Sequence, residues 1–314
     1  MLLVHGGWHG AWCWEPIRPG LRQAGVSPRT VELPMESLSG DAETLSAAIG
    51  EIEGTGPLVV VGHSYAGQVV SVAAHAADRL VYVAAIAAEA NEPILDSVGF
   101  GFGVVPGVEI DEKTWATRLT AKSLPSFYGN AGQPAQDWAL PRLRPLAAGC
   151  IAEALPCPPA WREVPTEYLI STDDEMLPVD YQRACGTKIG RSTELVADHS
   201  PFASAPNELT TALVGAAESA HQGWGAEVGF IGLGSQGAPM AEMIGRAGLD
   251  LRIWARRREV RAECARQGVS VANDPRALAA ECDVVCLCVT TEADVRDLAD
   301  TTGLLAACDR VRPC

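Results

Sequence analysis

The feature that most constrains this chain is an apolar run, Leu58 to Val61, that leads into Gly62-His63-Ser64-Tyr65-Ala66-Gly67 and resumes as a helix-like stretch from Val69 to Ala77. It reads as strand, sharp turn, helix. Such a turn holds its serine in a strained backbone conformation with the hydroxyl exposed, and the flanking positions must be small because strand and helix come close together. Gly62 and Ala66 meet that need. Ala66 stands where the common pattern has Gly and is followed at once by Gly67. The competing reading of Ser64 is an ordinary capping serine.

A serine hydroxyl is a poor nucleophile near neutrality, so it needs a base within hydrogen-bond reach and a group that fixes the base's tautomer. Where this turn occurs, the chain order is serine, acid, histidine. His199 lies in Val196-Ala197-Asp198-His199-Ser200-Pro201, just past a predicted strand, where a loop can carry the imidazole to the turn. The acid comes from Asp173-Asp174-Glu175 at the end of the Tyr168 to Ile170 strand, and spacing alone leaves the choice open. At the other end, Leu3-Val4 runs into His5-Gly6-Gly7-Trp8-His9-Gly10. The N–H of Gly7, with that of Tyr65, can form an oxyanion hole.

Short apolar runs at Leu2 to Val4, Thr30 to Leu33, Leu58 to Val61, Leu80 to Ala85, Glu167 to Ile170 and Thr193 to Val196 alternate with longer amphipathic stretches. That alternation predicts an α/β fold, a mostly parallel sheet covered by helices. From residue 89 to 162 the pattern gives way to Gly, Pro and aromatic residues, with Phe100-Gly101-Phe102-Gly103 and Trp115, Trp138 and Trp161, as a cap over a pocket would.

These motifs resemble the α/β-hydrolase family of plant methyl-ester esterases, hydroxynitrile lyases and their bacterial relatives. The likeness rests on Gly6-Gly7-Trp8-His9-Gly10-Ala11-Trp12, the turn at Ser64, Thr172-Asp173-Asp174 and Asp198-His199. It implies a parallel sheet with a helical cap and a Ser64, His199, Asp174 triad, the acid falling four residues before Pro178. It also implies hydrolysis of a small carboxylic ester through an acyl-enzyme, with no cofactor. The lyase members resemble a pattern with Thr in the oxyanion loop and Lys after the histidine. This chain has Gly6 and Ser200 there, which favours ester hydrolysis over the alternative, a hydroxynitrile or other carbon–carbon lyase. His5 and His63 read as packing groups beside the site, and His9, His75 and His221 as surface residues. Trp8, Trp12 and Trp14 suit packing of the first helix.

The stretch Glu218 to Gly225 lacks an apolar period and reads as a linker between a unit at 1–222 and a second at 227–314. In the second, the strand Val228 to Ile231 enters Gly232-Leu233-Gly234-Ser235-Gln236-Gly237 and a helix follows, a dinucleotide fingerprint in its proper setting. The next strand, Leu249 to Trp254, ends in Arg256-Arg257-Arg258 instead of an acid, and guanidinium groups suit a 2′-phosphate, so Arg256 and Arg257 favour NADP over NAD. A solvated basic helix start is the competing reading. The segment resembles the N-terminal part of the 3-hydroxyisobutyrate and related β-hydroxyacid dehydrogenases. That resemblance implies a truncated, incomplete Rossmann-type NADP-binding unit without dehydrogenase activity, because those enzymes continue into a helical domain bearing the catalytic lysine. A half-sheet leaves an unpaired edge, a route to a homodimer.

Composition narrows the partners. The net charge is −15, nearly all of it before residue 223, which argues against nucleic acid or an acidic membrane surface and for a small neutral substrate. Neither a signal peptide nor a transmembrane run is visible. The ten cysteines form no paired framework, and Cys286 and Cys288 alternate in an apolar run, so buried free thiols and a cytoplasmic location are expected.

Overall fold

Each apolar run of the first two hundred residues forms a strand: β1 (Leu2–Val4), β2 (Arg29–Val31), β3 (Val59–His63), β4 (Arg79–Val83), then β7 (Thr166–Ser171) and β8 (Ser192–Leu195). They form one six-stranded sheet, ordered β2-β1-β3-β4-β7-β8, with every pairing parallel. The computed structural model describes residues 1–52, 56–94, 106–221, 227–246 and 249–304. Outside these lie Phe100 to Gly103 of the expected cap, the linker at 222–226 and the tail at 309–314. The chain divides into two compact units, Met1–Ala220 and His221–Cys314.

Every residue of β3, β4 and β7 is buried, as in a parallel sheet covered on both faces. Helices Leu38–Gly50 and Ala66–Ala73 pack on each other, and Val179–Ile189 packs on β7. The insertion between β4 and β7 is less helical than a cap of that name suggests. It holds an antiparallel pair, β5 (Val108–Ile110) and β6 (Thr117–Leu119), besides short helices such as Leu124–Tyr128 and Gln133–Ala139.

The second unit is a four-stranded parallel sheet of β9 (Glu227–Ile231), β10 (Asp250–Trp254), β11 (Ser270–Val271) and β12 (Val284–Leu287), ordered β11-β10-β9-β12. Alternate side chains serve its two faces. Ile231 packs with Leu278 and Leu298 on one, Phe230 with Ala241 and Ile253 on the other.

Cys13, Cys150 and Cys185 are buried free thiols, but Cys286 and Cys288 are only half-buried. The expectation fails there because β12 is an edge strand of the described sheet, and its Val284 and Leu287 are exposed as well. Among the described residues no helix is long and apolar enough to cross a membrane.

Candidate active site

In a parallel sheet the loops leaving the carboxyl ends of the strands share one rim, where ligands bind. Here β1 ends in the glycine loop, β3 in the Ser64 turn, β7 in the acidic loop and β8 in the His199 loop. Register brings the first two side by side, with Val4 opposite Gly62.

Ser64 has φ +53°, a left-handed conformation that costs a non-glycine residue energy and is held by its surroundings. Its N–H donates to Val83 O at 3.1 Å, and its carbonyl accepts from Gly67 N at 3.0 Å and Ile86 N at 3.1 Å. A Cβ on Gly67 would collide with the Ile86 carbonyl oxygen, and one on Gly62 would lie 3.0 Å from Ala66 O. The position that cannot carry a side chain is therefore Gly67, and the alanine at 66 is accommodated.

Ser64 Oγ lies 2.9 Å from His199 Nε2, and His199 Nδ1 lies 2.7 Å from Asp174 Oδ2. Of the three neighbouring carboxylates only Asp174 reaches the imidazole among the described residues. Asp173 points outward and accepts from Asn130 Nδ2, and Glu175 is exposed. Asp174 is buried and fully engaged: Oδ1 accepts from Met176 N and Leu177 N, both at 2.8 Å, and Oδ2 also accepts from Gln182 Nε2 at 2.8 Å. Two further groups fix the His199 loop. His63 Nε2–H donates to His199 O at 2.7 Å, and buried Asp198 accepts from Ser200 N, Ser204 Oγ and Asn130 N. Burial, then the nearby imidazoles, push His63 well below the usual histidine range, so it serves as a neutral strut.

Gly7 and Tyr65 adjoin, since a Cβ on Gly7 would sit 3.6 Å from Tyr65 Cβ. Among the described residues neither backbone N–H donates to a protein acceptor. Two imidazoles clamp the peptides beside Gly7. Leu33 N donates to His5 Nε2 at 3.0 Å, which places the proton of His5 on Nδ1, 2.9 Å from Gly6 O. His9 Nδ1 donates to Gly7 O at 2.8 Å, and its Nε2 lies 2.7 Å from the Tyr128 hydroxyl. Burial lowers His5 to about 3 and His9 to about 4, so both stay neutral. His9 is thus not the surface residue its sequence setting suggests: the loop folds back, and the ring stacks on Trp12 and lies against Phe127 and Tyr128. The three tryptophans accompany a 3-10 turn, Ala11–Trp14, instead of an α-helix. Tyr65 is tethered as well, its hydroxyl donating to buried Asp41 at 2.6 Å.

In the second unit Gly232 has φ +100° and no room for a Cβ against the Cys288 carbonyl, and a Cβ on Gly237 would strike Gly232 O. Both glycines are required by the turn itself. Gly234 differs, because a Cβ there would meet nothing. It opens on a cavity of about 180 Å³ lined by Gly232, Gly234, Trp254, Arg256, Thr290 and Asp294. A backbone cradle left clear at the start of the helix Gly237–Arg246 fits a dinucleotide pyrophosphate. Arg256 lines that cavity but is not free. Its guanidinium lies 3.1 Å from Asp294 Oδ1 and 3.8 Å from Asp297 Oδ2. Arg257 is exposed and, among the described residues, unpaired.

Residues 1–213 match the family model described as the alpha/beta hydrolase family. The chain belongs to the alpha/beta hydrolase family. Residues 227–311 match the model of the NAD binding domain of 6-phosphogluconate dehydrogenase. Norfluorocurarine synthase 1 from Strychnos sp is 26% identical over 248 residues, 68% of this chain and 92% of that protein. Methylesterase 9 of Arabidopsis thaliana is 23% identical over 245 residues, 68% of this chain and 96% of that protein. Among solved structures, polyneuridine aldehyde esterase superposes with a TM-score of 0.59 at 19% identity, covering 68% of this chain and 97% of that one. A pyrethroid hydrolase from Sphingobium faniae gives 0.58 at 20% identity, covering 70% of this chain and 96% of that one.

This alpha/beta hydrolase also uses polar residues that its sequence does not advertise. Gln182, on a helix where exposed and buried residues alternate, and Asp41, in the first turn of another, carry no signal of burial. Asp41 lies one turn after the N-cap Ser37, which is the one local cue, since an acid in the first turn is usual there.

Proposed function

We propose that the first unit hydrolyses a small, neutral carboxylic ester through an acyl-enzyme. The observation that carries the reading is the unbroken chain Ser64 Oγ, His199, Asp174 at 2.9 and 2.7 Å, ending on a serine held at φ +53°. Ser64 Oγ attacks the ester carbonyl as His199 Nε2 takes its proton, and the electron pair moves onto the carbonyl oxygen. The Gly7 and Tyr65 N–H groups hold that oxyanion. Collapse expels the alcohol, which takes the proton from His199. Water, deprotonated by the same nitrogen, then releases the acid and restores Ser64. Asp174 keeps the imidazole's Nδ1–H directed away from the serine and stabilises its charged form. The relatives, methylesterases among them, support an ester over other acyl substrates. Space supports hydrolysis over the lyase alternative: a Cβ on Gly6 would lie 2.7 Å from His63 Nδ1 and 2.9 Å from Ser64 Cβ, so a threonine has no place there. The assay is nitrophenol release from short acyl esters by wild type and Ser64→Ala. Equal rates would sink the proposal.

The second unit is read as a dinucleotide site, because Gly234 leaves its cradle open. Gly232, Gly234 and Gly237 would hold the pyrophosphate and Arg256 with Arg257 the ribose 2′-phosphate, favouring NADP. Bound there, the nicotinamide supplies hydride-transfer chemistry. Titration with NADPH and NADH followed by tryptophan fluorescence tests the site, and no saturable signal with either would remove it.

A further inference from the structure

Trp8, directly after Gly7, has φ +61°. A bulky side chain adopts that conformation only where contacts impose it. The contacts come from the insertion. Arg144 N–H donates to Trp8 O at 2.8 Å, and the Trp8 indole Nε1–H donates to Thr117 Oγ1 at 3.0 Å. Thr117, the first residue of β6, is tied to Leu146 by backbone bonds in both directions, at 2.8 and 3.0 Å, and its hydroxyl donates to Leu146 O at 3.2 Å. Leu146 closes the circuit, since its Cδ2 would lie 3.1 Å from a Cβ on Gly7. Trp8, Thr117 and Leu146 are all buried.

We infer that Trp8 and Thr117 are positioning residues for the oxyanion hole: the cap, gripping the Trp8 indole through the Thr117 hydroxyl, sets the peptide that aims the Gly7 N–H. His5 holds the Gly6 carbonyl from the sheet side, His9, itself bonded to Tyr128 of the insertion, holds the Gly7 carbonyl, and Trp8 ties the same turn to the cap. A donor must be aimed at the place where charge develops, so a small rotation weakens the transition state more than the bound ester. The inference rests on the esterase reading above.

The experiment compares full-length wild type, Thr117→Val, Thr117→Ser and Trp8→Phe on 4-nitrophenyl acetate and with a trifluoromethyl ketone. Addition of Ser64 to the ketone carbon places an oxyanion in the hole. Thr117→Val and Trp8→Phe are expected to lower kcat about tenfold with KM changed less than about twofold, and to weaken the ketone by the same factor. Thr117→Ser, which keeps the hydroxyl, is expected to recover both. Packing alone would lower the melting temperature without that parallel. Folded Thr117→Val with wild-type kcat and ketone affinity overturns the inference. If Thr117→Val does not fold, Trp8→Phe carries the same comparison. A wild type that hydrolyses no ester and ignores the ketone removes the esterase reading instead.

Discussion

Gln182 Nε2 donates at 2.8 Å to Asp174 Oδ2, the same oxygen that meets His199 Nδ1 at 2.7 Å. The other end of the amide is used too, because Gln182 Oε1 accepts from Ser171 N at 2.9 Å. One buried side chain thus ties the end of β7 to the carboxylate that holds the His199 imidazole. Gln182→Leu strands the Ser171 N–H and removes a donor from Asp174, for a loss of about 1–3 kcal/mol in stability and about tenfold in kcat. Gln182→Glu sets a second carboxylate against Asp174 and is expected to be worse on both counts. Urea unfolding and esterase rates on the three proteins test the ranking wild type, Leu, Glu.

Acid should unfold the first unit through its neutral histidines. His5 and His9 titrate in the fold at about 3 and about 4, below the ordinary 6.5, with burial as the main cause, and His63 is lowered as well. Below pH 6.5 the unfolded chain takes up protons that the fold refuses, so stability is full above that pH and falls as pH falls. The loss from His9 runs down to about 4 and that from His5 to about 3. Each imidazole contributes a slope of about 1.4 kcal/mol per pH unit in its window. Urea midpoints between pH 7 and pH 5 measure the slope, and His9→Gln is expected to reduce it by one imidazole's share.

The strands at Leu2, Val59, Leu80 and Tyr168 were legible because a sheet covered on both faces demands unbroken apolar runs. Ser64 and His199 were legible because the motifs that position them are local: glycines at a turn, a loop after a strand. Asp174 needed resemblance, since three adjacent carboxylates differ only in where the loop points them. His9 and Gln182 were not legible. A polar residue beside glycines, or among exposed residues of a helix, gives no sign that the chain folds it inward against Tyr128 or Asp174. The pair β5–β6 was not legible because three-residue strands carry too little alternation to read, yet Thr117 of β6 bonds Trp8 in the glycine loop after β1.

The turn at Ser64 makes a prediction about two adjacent small residues. A methyl on Gly67 meets the backbone oxygen of Ile86, which cannot move without shifting the segment after β4. Gly67→Ala is expected to cost at least about 3 kcal/mol. Ala66→Gly restores the commoner motif and changes stability by about 1 kcal/mol, the helix penalty of glycine. Thermal melts of the two variants separate the positions: a Gly67→Ala protein as stable as wild type would mean the strand and helix are not in the close approach described.

Nucleotide preference in the second unit should turn on an acid. Gly234→Val fills open space and is expected to leave the melting temperature unchanged while abolishing NADPH binding, whereas Gly237→Ala strikes Gly232 O and damages the fold. With the cradle tested, Asp294 becomes the next variable. It sits 3.1 Å from Arg256, and its carboxyl is held below the usual range by the Thr291 hydroxyl and then by that guanidinium. A 2′-phosphate must compete with this carboxylate for the same donor. Asp294→Asn lifts the competition, and NADPH is expected to bind about threefold to tenfold tighter while NADH, which has no 2′-phosphate, is unchanged. Equal tightening of both nucleotides would place the effect in the cradle, and no change in NADPH would mean that Arg257, unpaired among the described residues, takes the phosphate alone.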